Sequence, residues 1–201
     1  MNKRIRTLLI VDLALLVSIN LFGPIYAIFA EGIGGDILAV GESWGAFAIA
    51  TGIFIILFGK IEEKRRKINM LILSYLLYII GFTLYLFVSN IFQLILVQIL
   101  LGLALAVNIP AWDTLFTVYM DTGKESSTWG LYSGMTYIIS GITAAIGSFI
   151  VFTYSFEALF YVMIAVAVLG ACYAVYVAKT IDWGYPPGFK KTKFKKSKWP
   201  W

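Results

Sequence analysis

Asp113 is a carboxylate with no visible partner in sequence. In these 201 residues it lies eight positions before Asp121, inside an otherwise apolar stretch, and no Lys or Arg falls within the core of any such stretch. On a helix that separation places Asp113 about 12 Å inward of Asp121. A carboxyl group surrounded by hydrocarbon must be protonated, bound to a cation or open to water if it is to persist. The bland alternative is a hydrogen-bonded contact between helices with no further role.

The residues around Asp113 follow helical spacing. At 100° per residue, Gly102, Ala106, Asp113 and Thr117 form one narrow stripe, while Asn108, Trp112 and Tyr119 form a second. The first stripe suits close approach of another helix, and the second suits contact with a solute. Pro110 lies between them and frees a backbone carbonyl, which a membrane tolerates where neighbours or water satisfy it. Nearer the N-terminus, Asp12, Gly23 and Tyr26 share a face, with Asn20 and Pro24 beside it, as in a bendable helix lining a cavity. Asp12 itself is only about 9 Å along the helix from Arg6 and is expected to be an interfacial carboxylate.

The elements that must position these groups are membrane spans. The sequence is 60% hydrophobic and 13% charged, too apolar for a soluble domain. Its 16 basic residues fall into four clusters: Lys3, Arg4 and Arg6; Lys60 and Lys64 to Lys67; Lys124; and Lys179 with the tail lysines from Lys190 to Lys198. Between neighbouring clusters there is enough apolar sequence to cross a bilayer twice, and the far turns carry no Lys or Arg. Each cluster is therefore expected on the cytoplasmic side. Six spans follow, at about 7–30, 43–60, 68–89, 91–120, 128–153 and 157–179, with both termini cytoplasmic. The fold expected is all-α: residues 1–180 as a six-helix transmembrane domain, residues 181–201 as a basic, aromatic cytoplasmic tail. A signal peptide is disfavoured, because the first apolar run continues to Ala30 and Ile28 stands where cleavage would want a small residue.

Composition also excludes chemistry. With no His and one Cys, the sequence lacks His/Cys metal sites, Cys-His or Ser-His nucleophile pairs and disulfide frameworks. No cofactor is expected, and Cys172, in an apolar run, reads as packing. In the tail, Phe189, Phe194, Trp199 and Trp201 interleave with six lysines after Pro186, Pro187 and Gly188. Such a segment either lies on anionic lipid at the inner surface or stays solvated, and a nucleic-acid partner is not expected. The first outer turn, Glu31 to Asp36, is glycine-rich enough to be tight and partly buried. Gly130, Gly134, Gly141 and Gly147, with Ala145, mark the fifth span for close helix packing.

One segment carries a family resemblance. Gly59-Lys60-Ile61-Glu62-Glu63-Lys64-Arg65-Arg66-Lys67 resembles the cytoplasmic signature of the major facilitator superfamily, G-x-L-x-D-R-x-G-R-R/K. Gly59, Glu63, Lys64 and Lys67 take its glycine, acid and basic positions, and Arg66 replaces the second glycine. Gln98, Gly102 and Ala106 are similar to the family's R-x-x-x-G-x-x-x-A stretch, with Gln98 in place of the arginine. Asp121 at the inner end of the fourth span and the glycine-rich fifth span continue the likeness, although the fifth span lacks the antiporter proline. The resemblance covers roughly residues 7–180, one half of a normal facilitator, whose two six-helix halves are related by an axis along the membrane normal.

The resemblance implies that spans one and four line a central cavity, with spans three and six outermost. It implies a conformational latch of Gly59, Glu63, Lys64, Lys67 and Asp121 at the cytoplasmic face. The expected function is secondary active transport of a small solute across a bacterial-type inner membrane by a homodimer of halves. Asp113 is the expected coupling group, with Asn20, Tyr26, Gln98, Asn108 and Trp112 as solute contacts. A non-transporting scaffold or partner subunit is the competing expectation; an Asp12–Asp113 catalytic pair lacks any surrounding protease-type motif, so no enzyme is expected.

Overall fold

The computed structural model describes residues 3–62, 67–121 and 123–183, together with the side chains of these residues except at 59–62. Glu63, Lys64 and the tail from residue 184 lie outside the described residues, as do the side-chain surroundings of Gly59. The first span is interrupted: α1 (Lys3–Asn20), a 3-10 turn (Gly23–Ile25) and α2 (Tyr26–Gly32). The remaining spans are α3 (Ile37–Glu62), α4 (Lys67–Tyr85), α5 (Ile91–Tyr119), α6 (Glu125–Thr153) and α7 (Phe156–Thr180). Among the described residues, six spans are long and apolar enough to cross a membrane. Connections of two to five residues reverse the chain between them. No strand occurs among the described residues.

Three of the turns have local causes visible among the described residues. Gly34, at a φ of +88°, ends α2, with Gly35 N donating to the Ala30 carbonyl and Gly34 N to that of Glu31. That paired pattern is a glycine-terminated Schellman cap. Asp36 then accepts from Ala39 N at 2.9 Å, so α3 starts several residues earlier than hydropathy alone predicts. Asn90 caps α5 through Gln93 N at 3.0 Å, and Ser155 caps α7 through Ala158 N at 3.2 Å. The third span ends at Tyr85, short of the expected residue 89.

Packing pairs the spans in a pattern that survives exchanging the first three with the last three. The second packs on the fourth and the fifth on the first; the third packs on the fourth and the sixth on the first; the third and sixth pack on each other. This is the arrangement of two inverted three-helix repeats. Small residues permit the closest approaches: a Cβ on Gly102 would lie 2.7 Å from the Phe47 carbonyl oxygen, and one on Gly147 would collide with the Leu21 carbonyl. Gly170 lets α7 press against the ring of Tyr75, whose hydroxyl donates to the Val11 carbonyl.

The break in the first span is held on both sides. Pro24 has no N–H to continue the helix, and Phe22 enters an aromatic cluster with Phe29, Tyr85, Phe156 and Phe160, with its own ring centroids 5.0–6.4 Å from theirs. Gly147 of α6 sits against the break from the other side. By contrast, only 17% of the most apolar stretch of α3 and 11% of that of α6 is buried, against 39–56% for the other spans. The faces of α3 and α6 carrying Ile49, Ile53, Tyr137, Ile138 and Phe149 are open within the chain.

Candidate functional site

The stripe running down α5 changes character along its length. At Gly102 and Ala106 it is packed and buried, with α3 against Gly102; at Asp113 and Thr117 the same face is exposed. A cleft of about 180 Å³ lies here, walled by α1, α5 and α6. Its polar and aromatic lining is Asp12, Asn108, Trp112, Asp113, Trp129 and Tyr132, above an aliphatic surface of Leu15, Leu16, Ile19, Leu105 and Ile109. No lining residue is Lys or Arg.

Asp12 corrects the expectation of an interfacial carboxylate. Only 7% exposed, it accepts a hydrogen bond at Oδ2 from the Tyr132 hydroxyl of α6 at 3.0 Å. Distance along the helix from Arg6 measured its depth, but α6 closes over its side. Asp12 and Asp113 face one cleft from the first and fourth spans, and each lies within the half of the bundle that carries the α1 start and the α5 end.

Asn108 is buried between the cleft and α4, where its Nδ2 donates to Ser74 Oγ at 3.1 Å and Ser74 donates onward to the Leu71 carbonyl. Its orientation is fixed by that chain. Trp112 is 4% exposed, stacked on Phe116 with centroids 4.4 Å apart and tilted over Tyr132 at 4.3 Å. Trp129 stands across both Trp112 and Tyr132, with centroids 6.0 Å from each and interplanar angles of 66° and 72°. The rings form two walls meeting at a corner. Among the described residues, Trp112 Nε1 is buried without a hydrogen-bond partner, a burden of about 1–3 kcal/mol.

The structure brings together Asp113, Asn108 and Trp112 of the expected residues, and sets Tyr26 and Gln98 apart. Tyr26 is buried in α2 and donates to Ser43 Oγ at 2.6 Å, while Tyr85 donates to Gln98 Oε1 at 3.4 Å; Tyr26 also lies within hydrogen-bonding range of Gln98. These four residues form a neutral network bracing α2, α3, α4 and α5. Asn20 donates to the Leu16 carbonyl at 2.8 Å, the local bond of a residue ending a helix. Tyr119, on the solute stripe by spacing, is instead buried with the Arg4 guanidinium over its ring at 4.9 Å. Lys67 opens α4, and Asp121 follows α5.

Sequence reasoning missed Trp129 and Tyr132. Their three-residue spacing on one helix places them side by side, but aromatic pairs are common in lipid-facing helices too. Among the described residues, no three of His, Cys, Asp or Glu gather as metal ligands.

The comparisons agree with this architecture. The family model described as Major Facilitator Superfamily matches residues 8–199. The chain is 25% identical over 148 residues to the uncharacterized MFS-type transporter YitZ of Bacillus subtilis (strain 168), covering 71% of this chain and 87% of that protein. In fold it is similar to the crystal structure of the POT family transporter PepTSo, with a TM-score of 0.71 at 15% identity. That match covers 93% of this chain but 40% of the other, so this chain spans less than half of it.

Proposed function

As this chain belongs to the major facilitator superfamily, we propose that it is a secondary active transporter of a small solute, built from two copies of this six-helix half. The observation that carries the reading is the cleft: its two carboxylates have no basic residue in its lining, and one of its walls is α6, a span left largely unburied within the chain. A parallel two-fold axis along the membrane normal would set two such clefts face to face and enclose a central cavity.

In this reading the charge of Asp113 is satisfied alternately by a mobile cation or proton and by water, which links its occupancy to the side of the membrane it faces. Asn108 and Trp112 contact the solute, while Tyr26 and Gln98 hold the framework. Asn20 is placed beside the break, where the first span bends. Gly59, Lys67 and Asp121, with Glu63 and Lys64, serve as the latch at the cytoplasmic face, the termini lying on that side of a bacterial-type inner membrane. Basic residues at the same end favour that orientation. Lysines and aromatic residues of the tail suit contact with anionic lipid.

The pairing has its own support. Gly130, Gly134 and Gly141 on α6 have open space where a Cβ would stand, so their surface is not used in folding the half. Small residues on an unused helix face allow a second copy to approach closely. Reconstitution into liposomes tests the whole reading. Gradient-dependent solute movement by a crosslinkable pair is expected; an obligate monomer that moves nothing would leave the scaffold role instead.

A further inference from the structure

Asp113 carries the coupling in the transport reading, which leaves Asp12 as a second, buried carboxylate beside it. Only 7% exposed and with no Lys or Arg in the lining, Asp12 accepts the Tyr132 hydroxyl at Oδ2 at 3.0 Å. A buried carboxylate without a base keeps its charge only through such bonds. The charged or titratable groups that face it are Asp113 of α5, Tyr75 and Tyr78 of α4 and Tyr132 of α6, none of them a cation. Tyr75 spends its hydroxyl on the Val11 carbonyl, so the donor that serves Asp12 comes from α6.

α6 is unevenly anchored. From Glu125 to Ile142 none of its residues is buried, whereas Thr143 and Gly147 are. Gly147 sits on the Leu21 backbone at the break in the first span, a contact that leaves no room for a side chain. Inward of that clamp, Gly141 has open space on its Cβ side, and Thr143 Oγ1 bonds back to the Ile139 carbonyl at 2.7 Å, a pattern that bends helices. The inner arm of α6, from Glu125 to Ser140, rests on the bundle through Trp129 and Tyr132, whose rings lie 4.3–6.0 Å from those of Trp112 and Phe116. Those ring contacts are the same whatever the charge of Asp12. The phenol–carboxylate bond is not.

We propose that Asp12 is a second coupling residue, acting through Tyr132 to hold or release the inner arm of α6. While Asp12 is ionised its charge requires the phenol, and the arm stays against the cleft. When a proton from water in the cleft adds to the carboxylate, no charge remains to be satisfied. The bond then becomes a neutral one, about half as strong, and the arm is free to swing outward on the Gly147 clamp. Tyr132 keeps its own proton throughout and is a positioning residue.

The linkage is reciprocal: the ionised carboxylate and the closed arm stabilise each other, as do the neutral carboxyl and the open arm. An outward swing widens the cleft of about 180 Å³ and so joins protonation to access. The inference rests on the transport reading only in calling this movement a transport step.

The test is pulsed electron–electron resonance on the full chain in lipid nanodiscs, with Cys172→Ser removing the native thiol and labelled copies diluted into unlabelled ones. Ser126→Cys and Thr180→Cys carry spin labels across the inner end, and Phe87→Cys and Phe152→Cys across the outer end; all four positions are exposed. From mildly alkaline to mildly acidic buffer, the inner distance should lengthen by several ångström while the outer one stays fixed. Asp12→Asn and Tyr132→Phe should each abolish the response to pH and show more of the long distance in alkaline buffer. Asp113→Asn should keep the response.

The proposal is overturned by an inner distance that ignores pH in the parent, by a response that survives in Asp12→Asn or Tyr132→Phe, by its loss in Asp113→Asn, or by equal movement at both ends. Folding of each variant is confirmed by circular dichroism, and if Asp12→Asn does not fold, Tyr132→Phe decides. A responsive arm in a protein that moves no solute would sink the transport reading and leave this one standing; transport by a protein whose arm stays fixed would do the reverse.

Discussion

The Tyr132 hydroxyl of α6 donates to Asp12 Oδ2 of α1 at 3.0 Å, tying the fifth span to the first beside the cleft. The bond places a carboxylate where hydrocarbon would otherwise surround it, and it fixes the ring that also packs on Trp112. Tyr132→Phe keeps the ring and removes the bond. The variant should be destabilised by about 1–3 kcal/mol, read as a lower thermal midpoint in detergent. Asp12→Asn in the same background should recover part of the loss, since it removes the buried charge.

Asp113→Asn should fold and pair normally but lose gradient-driven uptake or efflux in proteoliposomes. Its side chain is exposed in the half-bundle, so neither packing nor a core hydrogen bond depends on its charge. Unchanged coupled transport in this variant would remove Asp113 from the mechanism.

The glycines of α6 should separate into two kinds. Gly147→Ala places a methyl group against the Leu21 backbone, which cannot rotate aside, and overpacking of this type costs about 1–3 kcal/mol. Gly134→Leu meets open space within the chain and should leave the stability of the half unchanged. If the open face pairs two copies, Gly134→Leu should lower the dimer fraction in native mass spectra from lipid, an effect absent if pairing uses another surface.

Gln98→Leu should lower the thermal midpoint without abolishing solute binding. The substitution takes the acceptor from Tyr85 and breaks the neutral network reaching Tyr26 and Ser43. Loss of binding with an unchanged midpoint would return Gln98 to the list of solute contacts.

The spans were legible because membrane solvent imposes length and the basic residues mark one side. Asp113 was legible for a related reason, as a carboxylate in an apolar run without a base nearby. Its neighbours Asn108 and Trp112 followed from helical spacing alone, since all three lie within six residues on one helix. Asp12 was not legible in the same way. Spacing from Arg6 gives depth along α1, but burial depends on what stands beside it, and Tyr132 is 120 residues away. Tyr26 shows the converse, sharing a face with Asp12 yet lying beyond the Gly23–Ile25 turn, where the face no longer continues. The cap at Gly34 and the early start of α3 at Asp36 depended on backbone hydrogen bonds that hydropathy does not report.

The 120 residues between Asp12 and Tyr132 also have a meaning in time. Translation proceeds at about 5–20 residues per second, so roughly 6–24 s pass between synthesis of the carboxylate and synthesis of the phenol that will hold it. Over that interval the first span has no fifth span to pack on and no sixth to cover its other side. A nascent chain halted before α6 would expose an acidic first helix to whatever else occupies the insertion site. The order in which the ribosome supplies the helices therefore leaves the first span uncovered until α6 and then α7 are made, and truncations before α6 should be the forms that quality-control proteases remove.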